Sequence, residues 1–498
     1  MNVVLISTYE LGHQPFGLAS PAAWLAEIGA DVTCLDLSRE DFREALIREA
    51  ALIAFYVPMH TATRLAVALL PRVRALNPHA HICFYGLYAP VNAEYLRELG
   101  AETILGGEFE EGLVHLVERL TSAPSNGSAN MHAELSTASS RPQISLNRQK
   151  FRVPQRTGLP ALAKYAHLIM PDGGYRVVGY TEASRGCKHL CRHCPIVPVY
   201  DGTFRVVQRE IVLEDIRRQV AAGAQHISFG DPDFFNGASH ALAIVRDTHR
   251  EFPNLSYDAT IKIEHLLNHA EHLPMLRDTG CLFVTSAVES VDDLVLDRLA
   301  KGHTRAGFLR AAEIFRNIGL TLQPTFVPFS PWTTPRSYLD LLQVLADQDL
   351  IENVAPIQLA IRLLIPAGSR LLELPEIRDG VEPFDAAALV YPWKHSDPRV
   401  DALAAEVSRI VEREEKLRRN RAEIFAQIWH AAALVCGDAP QIPDALCTPQ
   451  IARPAIPHMN EPWYCCAEPS SDQLVSIGQV KAGVPHAEKS LPQPDAFV

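Results

Sequence analysis

The segment SRGCKHLCRHC places Cys187, Cys191 and Cys194 at a C-x3-C-x2-C spacing directly after a predicted strand. One loop can wrap three such thiolates around a single inorganic centre, and thiolates are the ligands that hold iron–sulfur clusters. A 4Fe-4S cubane has four corners. With no fourth cysteine nearby, one iron keeps an open position, as catalytic metal sites do. The competing reading of the same residues is zinc, with His189 and His193 as further ligands, although zinc sites usually combine C-x2-C pairs or bring histidines from a separate segment. Ten cysteines in the whole chain favour metal or redox chemistry over disulfides. Cys34, Cys83 and Cys281 stand alone in apolar, strand-like runs and read as small buried hydrophobes.

Polar residues recur where later predicted strands run out. FGDPDFFNG carries Gly230, Asp231 and Asp233; IKIEH carries Lys262 and Glu264, which a period of two puts on one face. AVES ends in Glu289, the stretch after it brings Lys301, Gly302, His303 and Thr304, and IRLLIPAGS offers Arg362, whose guanidinium suits a carboxylate. Each has a plainer reading as a turn, a helix cap or a buried salt bridge. Taken with the cysteine triplet, residues 150–375 resemble the radical SAM superfamily. The resemblance implies a 4Fe-4S cluster on Cys187, Cys191 and Cys194, with S-adenosylmethionine chelating the open iron. It also implies reductive cleavage of that cosubstrate, with a flavodoxin or ferredoxin as electron donor. Gly230 and Asp231 take the place of the motif that binds the methionine amino group, and Glu289 that of a ribose contact. His193 stands where the family often has an aromatic residue near the adenine. Glu264, with Lys262, is expected to point into the barrel or at its mouth, and Arg362 towards the mouth.

The tail NEPWYCCAEPSS holds the adjacent pair Cys465 and Cys466 in a Pro-rich stretch where thiols gain nothing from core packing. Neighbouring thiolates select soft, thiophilic partners, or form a redox couple despite the strain of a vicinal disulfide. A spare pair or a cluster ligand is the bland reading. The whole chain resembles a bacterial group of radical SAM proteins named for a Cys-Cys-Ala-Glu-Pro tail, some of which carry selenocysteine at this pair. Selenocysteine suits a nucleophile or soft-atom ligand better than a scaffold. The radical SAM enzyme of arsinothricin biosynthesis joins trivalent arsenic to the aminocarboxypropyl group of S-adenosylmethionine, so a metalloid held on Cys465 and Cys466 is one expected substrate and an ordinary small molecule the other. Cobalamin-dependent methyl transfer is the enzymatic alternative. A metalloid or redox sensor is the non-enzymatic one.

These groups must be positioned by an α/β chain of 498 residues, long enough for two domains with appendages. Residues 1–121 alternate strand and helix patterns and predict a flavodoxin-like, doubly wound parallel sheet. Its order resembles the cobalamin-binding domain that precedes many radical SAM barrels. The Asp-x-His-x-x-Gly motif is absent, only His13 stands after the first strand, and the loops expected to hold a corrin carry bulky Met59, His60, Leu87 and Tyr88. Cobalamin and a degenerate scaffold both stay open. Residues 122–150 read as a disordered linker. Residues 151–375 predict a partial barrel of six strands whose C-terminal ends carry the chemistry. Residues 376–436 form a helical extension, mainly one amphipathic helix from 398 to 435, and residues 437–498 a Pro-rich tail. A net charge of −12 disfavours nucleic acid. The lysine and arginine cluster at 416–421 reads as a solvated helix face. No apolar run reaches the ~20 residues of a membrane span, and a cytoplasmic enzyme is expected.

Overall fold

The computed structural model describes residues 1–122, 143–437 and 456–461. Six parallel strands form the first sheet: β1 (Asn2–Ser7), β2 (Asp31–Asp36), β3 (Leu52–Tyr56), β4 (His81–Tyr85), β5 (Thr103–Gly107) and β6 (Gln143–Ser145). Their order is β2-β1-β3-β4-β5-β6. The strands are apolar at successive positions because both faces are covered. Val4, Ile6, Ile53 and Phe55 pack with the helix His60–Leu76 on one side, while Val3, Leu5, Leu52 and Ala54 meet the helices Phe16–Glu27 and Glu110–Ser122 on the other. β6 lies inside the stretch expected to be a linker. Its backbone pairs with β5 from Leu105 to Gly107, so sheet hydrogen bonding orders a segment with little apolar content. Most of the expected linker, 123–142, lies outside the described residues.

The second sheet is a curled half-barrel. Its strands are β7 (His167–Ile169), β8 (Tyr175–Thr181), β11 (His226–Phe229), β12 (Ser256–Thr260), β13 (Cys281–Glu289), β14 (Thr321–Phe326) and β15 (His458–Met459). β9 (Ser184–Gly186) and β10 (Phe204–Val206) form a separate antiparallel pair. The order β14-β13-β12-β11-β8-β7-β15 has five parallel strands, β8 to β14, and two antiparallel strands at one edge. Helices Arg209–Ala221, Ala238–Glu251, Arg305–Ile318 and Pro335–Asp347 cover its outer face with a continuous apolar core.

Four local expectations are corrected. The first barrel strand is YRVVGYT rather than TEASRG, whose last three residues turn away as β9. β12 stops at Thr260, so Lys262 is the cap of a short helix and Glu264 lies in its first turn. The sixth strand shrinks to one bridge between Phe329 and Arg362, because Pro356 opens a 3-10 turn where the strand was expected. The long helix divides into Pro398–Lys416 and Arg421–Cys436. Between them Arg418 takes a φ of 56° and Asn420 forms a reciprocal capping box with Glu423, a start signal visible in the sequence NRAE.

Arg362 does not reach the barrel mouth. Its guanidinium stacks 3.6 Å from the Trp393 ring centroid, donates to Asp401 Oδ1 at 2.6 Å and to the Trp393 carbonyl at 2.7 Å, and so ties the half-barrel to the helical extension. Arg362→Lys keeps the charge but loses the fork and the planar stack. It is expected to lower stability by about 1–2 kcal/mol, measured by urea denaturation, and to leave the KM for the cosubstrate that the resemblance implies unaltered. A tenfold rise in that KM would restore the carboxylate-clamp role.

The two domains meet at the C-terminal edges of their sheets. Buried Arg185 on β9 reaches across to Glu110 (2.8 and 3.0 Å) and Glu108 (3.5 Å) while bonding Glu182 at 2.6 Å within its own domain. Three carboxylates around one guanidinium fix the docking geometry, since a buried charge must find its partners. The surplus of acid appears on Glu108, which burial pushes up to about 7 against the pull of Arg185.

Candidate functional site

A cavity of about 370 Å³ occupies this seam, within the ~300–1,000 Å³ range of small-molecule sites. The half-barrel contributes Cys187, Cys191, Cys194, Lys262, Glu289 and Lys301, and the first domain contributes Glu10, His13, Tyr56 and Phe109. The cysteines sit on the loop that follows β9. The Cys187 N–H donates to the Thr203 carbonyl (3.1 Å), and the Cys194 N–H closes a turn on the Cys191 carbonyl (3.1 Å). The Arg192 N–H donates to the Leu299 carbonyl at 2.9 Å, pinning the loop's centre to the far side of the barrel. Burial pushes the Cys187 thiol up to about 11, and a bound metal cation would favour its thiolate.

Glu289 and His193 converge beside these thiols. Glu289 ends β13 with a φ of 69°, at a register shift between Ala287 and Glu289, and this strained backbone aims its carboxylate inward. Glu289 Oε1 lies 3.1 Å from His193 Nε2 and accepts from Lys301 Nζ at 3.2 Å. Burial alone would raise the Glu289 carboxyl, but Lys301 and His193 hold it down to about 2. Asp231 lies at the end of β11, where Oδ2 accepts from the Ala183 N–H (2.9 Å) and Oδ1 from the Ser184 hydroxyl (2.5 Å). Burial pushes Asp231 up to about 7 against those bonds. It buttresses the start of the cysteine loop as well as lining the cavity. Gly230 lines it too, and a Cβ there would fall 2.1 Å from the Tyr180 hydroxyl.

Glu264 lies outside the cavity lining. It sits half-exposed at the rim, 3.7 Å from Lys262 and 3.4 Å from His189. Arg362 is held elsewhere, and Cys465 and Cys466 lie outside the described residues. The nearest described part of the tail, β15 with Glu461, lines the cavity. Sequence reasoning did not select Glu10, Tyr56 or Tyr180. Glu10 and Tyr56 carry the same signal as the barrel residues, polar groups at the C-terminal ends of strands, in the first sheet, and Tyr180 lies near the end of β8, the strand expected at TEASRG.

The donors suit a cluster with one open corner. Three thiols line the cavity, and no fourth cysteine does among the described residues. Glu10 Oε2, His193 Nδ1 and Thr325 Oγ1 are buried on its walls without a hydrogen-bond partner among those residues, as expected of a site built for a polar ligand. Cys187, His189 and Asp233 also bring donor atoms within 4.8 Å of one another, which is the part of the zinc reading that the geometry retains. His193, the other histidine of that reading, is committed to Glu289.

Residues 181–334 match the radical SAM superfamily. Hopanoid C-3 methylase of Methylococcus capsulatus is 24% identical over 330 residues, covering 65% of this chain and 62% of the methylase. The ribosomal protein uS12 methylthiotransferase of Syntrophotalea carbinolica is 24% identical over 175 residues, 33% of this chain and 38% of that protein. The chain thus spans less than two-thirds of these relatives. Among solved structures, the cobalamin-dependent S-adenosylmethionine radical enzyme OxsB, with aqua-cobalamin and S-adenosylmethionine bound, superposes with a TM-score of 0.65 at 14% identity, over 89% of this chain and 73% of that one. The radical S-adenosylmethionine methyltransferase TsrM of Kitasatospora setae, with tryptophan and a cosubstrate analogue, gives 0.54 at 16% identity, over 70% and 72%. The cysteine loop and its strained, ion-paired glutamate therefore lie within the segment that matches the radical SAM superfamily, in a chain folded like OxsB and TsrM over most of its length.

Proposed function

We propose that the enzyme transfers the 3-amino-3-carboxypropyl group of S-adenosylmethionine to trivalent arsenic held by Cys465 and Cys466. Cys187, Cys191 and Cys194 would hold the cluster, which supplies the electron for carbon–sulfur cleavage. Glu289, fixed by Lys301 and His193, would accept from the ribose hydroxyls, and Gly230 and Asp231 would line the methionine end. The observation carrying the reading is the course of the C-terminal segment: β15 joins the barrel sheet and Glu461 lies on the cavity wall, four residues before the thiol pair. In net terms sulfur keeps the electron pair of the broken bond and leaves as 5'-methylthioadenosine. Arsenic supplies the pair of the new carbon–arsenic bond and passes from +3 to +5, so the electron lent for cleavage is returned and no net reductant is consumed. Anaerobic turnover with arsenite is expected to yield 5'-methylthioadenosine, and Cys465→Ser or Cys466→Ser to lower coupled product at least tenfold. Formation of 5'-deoxyadenosine alone would refute the reading.

The second reading is cobalamin-dependent methyl transfer, favoured by the likeness to OxsB and TsrM and by the hopanoid methylase match. The loops after β3, β4 and β5 line the cavity with bulky Met59, Leu87, Tyr88 and Phe109 as well as with Gly86 and Gly107. His13 stacks on Tyr180 at 4.5 Å and His60 Nε2 lies 2.7 Å from the Ala388 carbonyl. Protein that takes up cobalamin stoichiometrically and releases S-adenosylhomocysteine would establish this alternative.

A further inference from the structure

The stretch IEHLLNHAEHL carries His265, His269, Glu271 and His272 close together in the chain, and the backbone folds the last three onto one another. The short helix Ile263–Asn268 ends at His269, a 3-10 turn runs over Ala270–His272, and a second short helix, Leu273–Asp278, follows at once. The His269 N–H donates to the His265 carbonyl and the His272 N–H to the His269 carbonyl, both at 3.0 Å. This winding stacks the His269 and His272 rings, their centroids 6.0 Å apart and their planes 11° from parallel. One donor atom each from His269, Glu271 and His272 then lies within 4.8 Å of the other two. Phe235 meets the His269 ring near a right angle, with 5.7 Å between centroids, and limits its rotation.

An ion pair accounts for only part of this arrangement. Glu271 Oε1 lies 3.6 Å from His272 Nε2, beyond hydrogen-bond distance, and leaves His269 out. Burial, reinforced by nearby His265, His272 and Lys188, holds the His269 pKa below its ordinary value, so near pH 7 its ring is a neutral base able to coordinate. His269 and His272 are half-buried and Glu271 is exposed, so ions reach them from solvent. All three stand outside the cavity lining, whereas Lys262, which caps the start of the same helix, lines it.

We propose that His269, Glu271 and His272 form a second metal site, binding one divalent zinc, cobalt or nickel ion through two imidazoles and a carboxylate. That donor set suits these ions, whereas magnesium and calcium take oxygen ligands. Three protein ligands leave a position for water. The bound ion clamps the turn to the end of helix Ile263–Asn268, the helix that presents Lys262 to the cavity and His265 to Asp233, 2.7 Å away. The site is independent of which group the enzyme transfers and of the thiol pair in the tail.

Equilibrium dialysis of full-length, cluster-loaded enzyme against zinc tests it, with the bound metal counted by mass spectrometry. Wild-type enzyme is expected to hold one more zinc than a variant combining His269→Ala with His272→Ala, and an excess of magnesium should not displace that equivalent. Glu271→Gln, the milder change, should hold the same zinc several-fold more weakly. Without zinc the urea midpoints of all three proteins should coincide; with zinc the wild-type midpoint should rise and that of the double variant stay fixed, because the ion binds only the folded site. Equal zinc in wild-type, double-variant and Glu271→Gln enzyme would overturn the site, and displacement by magnesium would overturn its metal class.

Discussion

Alanine at Cys187, Cys191 or Cys194 is expected to reduce S-adenosylmethionine cleavage to the level of a protein-free control. After anaerobic reconstitution the wild-type chain should hold about four irons and four sulfides, and each variant markedly fewer, with loss of the reduced-cluster signal in electron paramagnetic resonance. The effect is total because every ligand comes from one loop. A cubane with two protein thiolates has no substitute thiolate, since no other cysteine lines the cavity among the described residues. His189 and Asp233 lie near Cys187, so a zinc-loaded protein remains the outcome that would defeat the assignment: one zinc per chain, no cubane signal, and cleavage surviving the loss of Cys191. Cys34→Ala is the control. Its thiol is buried behind the first sheet and pushed up to about 12 by burial, so it is neither ligand nor nucleophile and its loss should cost stability alone.

What could be read from the sequence follows from how locally each feature is encoded. The cysteine loop is legible because its ligands are contiguous, and the doubly wound domain because buried parallel strands are written as unbroken apolar runs such as LIAFY and HICFY. Glu289 was placed correctly at a strand end, while its left-handed backbone and its shared bond with Lys301 and His193 depend on three distant segments. Arg362 shows the opposite case. Its spacing on a strand-like run pointed to the barrel mouth, but Trp393 and Asp401, far along the chain, supply a flat ring and a carboxylate that hold the guanidinium against the helical extension. Glu264 departs from the expected strand because the alternating pattern runs on through Lys262 while the backbone has already turned into a helix. Glu461 carried no local signal at all, since its partners Tyr9 and Arg39 stand at the other end of the chain.

Lys301→Met is expected to be the most damaging substitution outside the cysteine loop. Lys301 and Glu289 are both more than nine-tenths buried, and removing one partner leaves an uncompensated buried charge, a loss of about 3–5 kcal/mol. In the native enzyme the depressed Glu289 carboxyl stabilises the fold above its ordinary titration range, and that contribution disappears as pH falls toward about 2. Without Lys301 the burial penalty dominates, the carboxyl titrates upward, and the dependence reverses so that stability falls as pH rises. Urea denaturation of the variant between pH 5 and 8 measures this sign directly. Combining Lys301→Met with Glu289→Gln removes both charges and should recover most of the stability, because a neutral pair of similar shape carries no desolvation debt. It should not recover S-adenosylmethionine affinity, expected to weaken about 10- to 100-fold when a charged acceptor for the ribose is lost. A Lys301→Met enzyme with unaltered urea midpoint at every pH would show that Glu289 is satisfied by His193 alone. Recovery of both stability and affinity in the double variant would mean that the carboxylate is scaffold, and that the ribose is held by another group on the cavity wall.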